Sequence, residues 1–205
     1  MSDTKTIMLF TEDRGHELFI QALLKRMAND FSIPESALKI ISYSVRGGHG
    51  EVVQELKEFV RDVTGFKQPL PDLIIVATDS NCVGYNHRCK EMSGCVDQIK
   101  DRMIYAVPDP HVERWMLLDS RAFKEVFGCG CKAPNNKCDK DRYKSLLGDA
   151  FTNTEIVPII NGFEFAEEIV AKMNLEKIKD NSLKRLIDEI SGFFRNWNEK
   201  SPYVM

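Results

Sequence analysis

No stretch of this 205-residue chain approaches the roughly 20 consecutive apolar residues that a membrane-crossing helix needs. The first residues, MSDTKTIMLFTEDRGHE, lack the basic segment and apolar run of a signal peptide, so a cytoplasmic chain without membrane contact is expected. Positive charge is not in excess: 28 lysines and arginines stand against 31 acids, for a formal net charge of −3. That balance argues against a passive nucleic-acid coat, though a local basic strip beside an acidic site would still fit it. There is no Walker loop, because no Gly-Lys-Ser/Thr follows the glycines. Paired CxxC spacing, internal repeats and low-complexity tracts are also missing.

What is present reads as one globular domain. Hydrophobic residues make up 43% and charged residues 29%, a mixture that folds rather than stays disordered, and the length suffices for a core without staples. In a cytoplasmic chain, six cysteines are expected to be thiols or metal ligands rather than structural disulfides.

Apolar runs at 5–10, 38–45, 72–78 and 102–107 read as strands, and DLIIVAT is the run best suited to burial on both faces of a parallel sheet. Helical spacing marks the segment after the Thr11–Gly15 turn, where Leu18, Phe19, Ala22, Leu23 and Met27 recur. It also marks 51–63, a stretch from the DSNCVGYNHR segment through Ile99, 112–127, 142–148, 162–173 and 175–197. Alternating strands and helices predict an α/β fold, a parallel sheet with helices on both faces. Residues 1–127 form its core. Residues 128–205 add an irregular Cys-rich loop and C-terminal helices to the same domain, the last carrying Phe193, Phe194 and Trp197 either into the core or onto a second copy in a homodimer.

In open α/β sheets, functional groups collect beyond the carboxyl ends of the strands. Here those ends read Thr11-Glu12-Asp13, Thr78-Asp79-Ser80-Asn81 and Pro108-Asp109-Pro110-His111, with Glu113 just beyond. Such oxygen ligands suit Mg²⁺ or Mn²⁺. Glu12 or Asp79 alone would read as a helix-terminal charge or cap; together on one sheet they read as a site. Glu113 is either a further ligand or a helix-surface charge. The loop Arg46-Gly47-Gly48-His49-Gly50, between strand and helix, is either a tight turn needing positive φ or a phosphate cradle with Arg46 and His49 as contacts. Cys129, Cys131 and Cys138 make a partial structural Zn²⁺ site, with Cys82, Cys89, Cys95, His87 or His111 open as the fourth ligand; scattered thiols are the alternative. Lys140 either stabilises transition-state charge or begins a solvated helix.

The segments LFTEDRGHELF and DLIIVATDSNCVGYNHR resemble the two signatures of the Toprim domain of topoisomerases, primases and overcoming-lysogenization-defect nucleases. The likeness is greatest to small stand-alone Toprim-like proteins of bacterial defence loci, with Glu12, His16 and Glu17 on the first motif and Pro108 or Pro110, Glu113 and Trp115 on a later one. The resemblance spans roughly residues 5–120. It implies a Rossmann-like Toprim sheet. It also implies a Mg²⁺- or Mn²⁺-dependent nuclease acting on DNA or RNA in antiviral defence, partnered by a separate ABC- or AAA-type ATPase. Glu12 and Asp79 are then the principal ligands, Asn81 a neutral ligand where the family has a second aspartate, and His16 and Glu17 groups within reach of metal or phosphate. Asn81 and His16 depart from the pattern, which leaves two alternatives: a degenerate regulatory or scaffolding subunit, or phosphoryl transfer on a small nucleotide.

Overall fold

The computed structural model describes residues 4–45, 47–94, 96–139, 141–152, 154 and 156–200. Four parallel strands run β1 (Lys5–Thr11), β2 (Leu38–Ser44), β3 (Leu73–Ala77) and β4 (Met103–Ala106), in the spatial order β2-β1-β3-β4. Eight α-helices accompany them among the described residues: α1 (Arg14–Asp30), α2 (His49–Thr64), α3 (Tyr85–Ser93), α4 (Glu113–Met116), α5 (Ser120–Phe127), α6 (Arg142–Thr152), α7 (Ala166–Lys172) and α8 (Asn181–Lys200). The parallel α/β sheet read from the alternating pattern is therefore present.

Alternation along the strands divides the apolar residues between two layers. Ile7, Leu9, Ile75, Ala77 and Ile104 face one cluster, built with α1, α5, α6, α7 and α8. Met8, Phe10, Ile74 and Val76 face the other, built with Val52, Leu56, Phe59 and Val60 of α2 and Met92 of α3. β3 is buried along its whole length, as its unbroken apolar run requires. The chain leaves β1 in one direction to reach β2 and crosses back over β1 to reach β3. Strand order thus reverses between β1 and β3, and their carboxyl ends open a crevice there.

Three helical segments differ from the sequence pattern. The 112–127 stretch is two helices, because Asp119 takes an extended backbone and its side chain accepts from the amides of Arg121 (3.0 Å) and Ala122 (3.1 Å). An aspartate that offers this cap competes with a continuous helix. The helix predicted through Ile99 stops at Ser93. The 175–197 stretch begins as a 3-10 turn (Leu175–Lys177) and restarts as α8, where Asp180 accepts the amide of Leu183 at 2.9 Å.

α8 lays Leu183, Leu186, Ile190 and Phe194 into the same core as β1, so its apolar face is spent on its own chain. Asp180 also pairs with the buried guanidinium of Arg114 in α4, which donates to the carbonyl of Asp109 as well (3.1 Å). Ser182 accepts the Trp115 indole N–H (3.0 Å) and the Asp109 amide (3.3 Å). This network fastens α8 to the segment leaving β4. No helix among the described residues is long and apolar enough to cross a membrane.

Replacing Asp180 by alanine removes both the α8 cap and the partner of a buried cation. Asp180→Ala is expected to lower unfolding free energy by about 3–5 kcal/mol, and Asp180→Asn, which keeps the cap, by less. Urea denaturation measures both; a loss below about 1 kcal/mol for Asp180→Ala would show that Arg114 finds other compensation.

Candidate functional site

The ends of β1 and β3 are joined beyond their ladder. The Glu12 amide donates to Ala77 O (3.0 Å), and the Asp79 amide donates to Glu12 Oε2 (3.0 Å). Past β3, the amides of Ser80 and Asn81 donate to Pro108 O (2.9 Å) and Pro110 O (3.2 Å), drawing the β4–α4 segment alongside. Glu12, Asp79 and Glu113, far apart in sequence, therefore share one cavity of about 230 Å³, whose lining also includes Asp13, Asn81, His111, Asp141, Tyr143 and Lys144.

Asp79 is the hub. Its Oδ1 accepts from His16 Nε2 (3.0 Å) and the Val112 amide (2.9 Å), and its Oδ2 pairs with His111 Nδ1 (3.1 Å). His16 is wholly buried, and its Nδ1 meets Asp13 Oδ1 at 2.9 Å. Both ring nitrogens thus face carboxylate oxygens, which only accept when ionised, so both must carry hydrogen.

The electrostatics follow. Burial alone would lower the pKa of His16, but Asp79 and Asp13 outweigh it and hold the imidazole protonated well above its ordinary range. Burial works against the charge on Asp79, yet His16 and His111 keep its carboxyl well below the usual carboxylate value. The hydrogen bond to Asp79 raises His111, against partial burial. Glu12 is raised by burial and by the charge of Asp79, with His16 opposing. Burial and then Asp79 raise Glu113 as well. One ring of charges is therefore compensated, and two glutamates beside it are not.

Glu17 lines a second, larger cavity of about 820 Å³ with Glu12, Arg14, Gly47 and Gly48, and is paired with Arg14. Gly48 caps α2 at φ +76°, the conformation a tight turn demands. Asn81 lines the small cavity at φ +46°. His16 as a metal ligand is corrected: it lies in the interior with both nitrogens already used. His49 as a phosphate contact is corrected likewise, since its ring nitrogens sit against Thr78 Oγ1 (3.2 Å) and Glu91 Oε2 (3.3 Å). Arg46, Lys140 and Cys95 lie outside the described residues.

The cysteine expectation is also corrected. Cys138 is bonded to Cys82 in a disulfide, and does not join Cys129 and Cys131, which remain thiols. The pairing crosses 56 residues, and no local spacing signals it. Sequence reasoning underrated Asp13 and His111. Asp13 caps α1 and orients His16. His111 stood at a strand end, where the general rule already pointed, and was weighed only as a zinc ligand.

Whether a divalent cation fits can be judged from the oxygens left over. Among the described residues no three His, Cys, Asp or Glu side chains gather closely enough to enclose an ion by themselves. Glu12 and Glu113 are carboxylates raised by burial, and Asp79 Oδ2 retains one lone pair. Mg²⁺ characteristically takes one or two carboxylates and completes its shell with water and substrate phosphate, so this donor set suits it as a cation shared with substrate.

The pH dependence of stability follows from the same shifts. His16 is raised from 6.5, so its contribution is complete below that value and is lost as pH rises through the folded pKa. Asp13 and Asp79 are lowered from 3.8, so theirs is complete above that value and is lost as pH falls through the folded pKa values. Denaturant titrations should show the stability gap between the parent and His16→Gln shrinking by about 1.4 kcal/mol per pH unit from pH 6.5 upward, until His16 deprotonates. A gap that does not change with pH would mean that His16 is neutral. Comparison with family models, with curated proteins and with solved structures returned no match for this chain.

Proposed function

We propose that the cleft between β1 and β3 hydrolyses a phosphodiester bond of DNA or RNA with the help of a divalent cation. The observation that carries this is the meeting of Glu12, Asp79 and Glu113, from beyond three strand ends, in one cavity with His111 and Lys144. The Toprim-like motifs around Glu12 and Asp79 support it.

Glu113 and the remaining lone pair of Asp79 would hold the cation, which when bound polarises the phosphate and lowers the pKa of coordinated water. Glu12 is the general base, because a raised carboxylate takes a proton near neutral pH more readily than an ordinary glutamate. His111 is the general acid: Asp79 holds its Nδ1, leaving Nε2 to protonate the departing oxygen, and the hydrogen bond to Asp79 raises its pKa, which favours the protonated ring. Lys144 lines the same cavity and offers positive charge to the phosphate. The N-terminus of α2, where the N-cap Gly48 offers no side chain to the helix amides, borders the larger cavity next to Glu12 and suits a neighbouring phosphate of the same strand.

A second reading, a non-catalytic module, is favoured by the three hydrogen bonds already spent on Asp79 and by Asn81 in place of a carboxylate. The two are separated by incubating the chain with plasmid DNA, single-stranded DNA, tRNA and mononucleotides in Mg²⁺ or Mn²⁺. Cleavage is expected from the parent and should fall at least about 100-fold in Glu12→Ala and His111→Ala. Activity surviving in Glu12→Ala would place the chemistry elsewhere. No cleavage together with no calorimetric Mn²⁺ binding would establish the non-catalytic module, and hydrolysis confined to mononucleotides would make the substrate a small nucleotide.

A further inference from the structure

From the position of the disulfide, we infer that Cys82–Cys138 is a redox-controlled clamp on this cleft: it assembles the site when oxidised and releases one wall when reduced. The inference rests on the hydrolase reading only for its consequence in activity.

Cys82 lies three residues after Asp79, in a turn where Asn81 and Cys82 both take positive φ (46° and 70°). Cys138 lies near the end of residues 130–139, which have no regular secondary structure. The small cavity is lined on one side by Asn81, just before Cys82, and on the other by Asp141, Tyr143 and Lys144, just after Cys138. The bond therefore staples one wall of the cavity to the other, with Cα atoms 5.5 Å apart. Both cysteines are exposed, so a soluble thiol reaches them without unfolding the core.

What else holds this loop is modest. Asn136 donates to Asp109 Oδ2 (3.1 Å), and Arg142 donates to Asn135 Oδ1 (2.7 Å), both at the surface. The Tyr143 hydroxyl accepts from the Lys137 amide (2.8 Å) and contacts the carbonyls of Asn135 and Lys137. Pro134 and Tyr143 anchor the two ends of this loop in the interior, but residues 135–139 between them are exposed, and such a stretch opens easily once its covalent tie is cut. Cys131, in the same loop, does not cut it from within: burial pushes its thiol up to about 11, leaving little thiolate.

The reductant is an external dithiol. Its thiolate attacks one sulfur of the pair, the S–S bond breaks, and the other cysteine leaves as a thiolate that picks up a proton. The second thiol of the reductant then closes its own disulfide and frees the first cysteine. Two electrons and two protons pass to the protein, and the dithiol is oxidised to a cyclic disulfide.

The test compares the full chain, oxidised and after dithiothreitol, with Cys82→Ser/Cys138→Ser. Hydrogen exchange read by mass spectrometry should accelerate about tenfold or more over 129–144 on reduction, with the exchange of β1 and β3 unchanged. The double variant should match the reduced parent and ignore dithiothreitol. Equal exchange over 129–144 in both redox states overturns the clamp. Cleavage of single-stranded DNA in Mn²⁺ should fall about tenfold on reduction and return on reoxidation; equal cleavage in both states overturns the control of activity. If neither state cleaves any substrate, the hydrolase reading fails, and the exchange contrast alone upholds or overturns the clamp.

Discussion

Asp79 stays ionised inside the protein only because three N–H groups from two other segments point at it. His16 reaches it from α1, and His111 and the Val112 amide reach it from the segment between β4 and α4. Its own amide is tied to Glu12. A largely buried carboxylate without such partners would be protonated or would destabilise the fold. The constraint runs outward from there: α1 must start where Asp13 can cap it and orient His16, and β4 must end where Pro108 and Pro110 can accept from Ser80 and Asn81.

The result is two populations of charge side by side. Asp13, His16, Asp79 and His111 alternate in sign and stabilise one another. Glu12 and Glu113 stand next to them without that compensation, and their carboxyls are pushed upward. Neighbouring titratable groups driven in opposite directions are the usual basis for dividing acid and base roles within one site. Glu12 and Asp79 are driven apart in this way, which suits Glu12 to the base role; His111, raised alongside Glu12, is proposed as the acid because Asp79 holds its Nδ1.

Much of the fold is legible in the amino-acid sequence. The alternation of apolar runs and helical periodicity gave the four strands nearly to the residue, and the rule for strand ends in open sheets selected Glu12, Asp79 and Glu113, which do share a cavity. The misreadings concern groups whose role depends on a distant partner. Asp119 looked like one more helix residue because its capping partners at Arg121 and Ala122, and the Asn174 amide that also binds it, are not visible in a periodicity. His16 looked like a ligand because its position in the motif says nothing about burial. His49 looked like a phosphate contact until Thr78 and Glu91 were seen to occupy its ring.

The sequence by itself determined the period of each element and the residue types at the strand ends, because both are local properties set by side-chain spacing and turn chemistry. The tertiary structure decided the strand order that brings the ends of β1 and β3 together, the protonation of His16, and the pairing of Cys82 with Cys138. Each depends on what lies within a few ångströms across the fold, a quantity that separations of 56 residues or more along the chain do not encode locally.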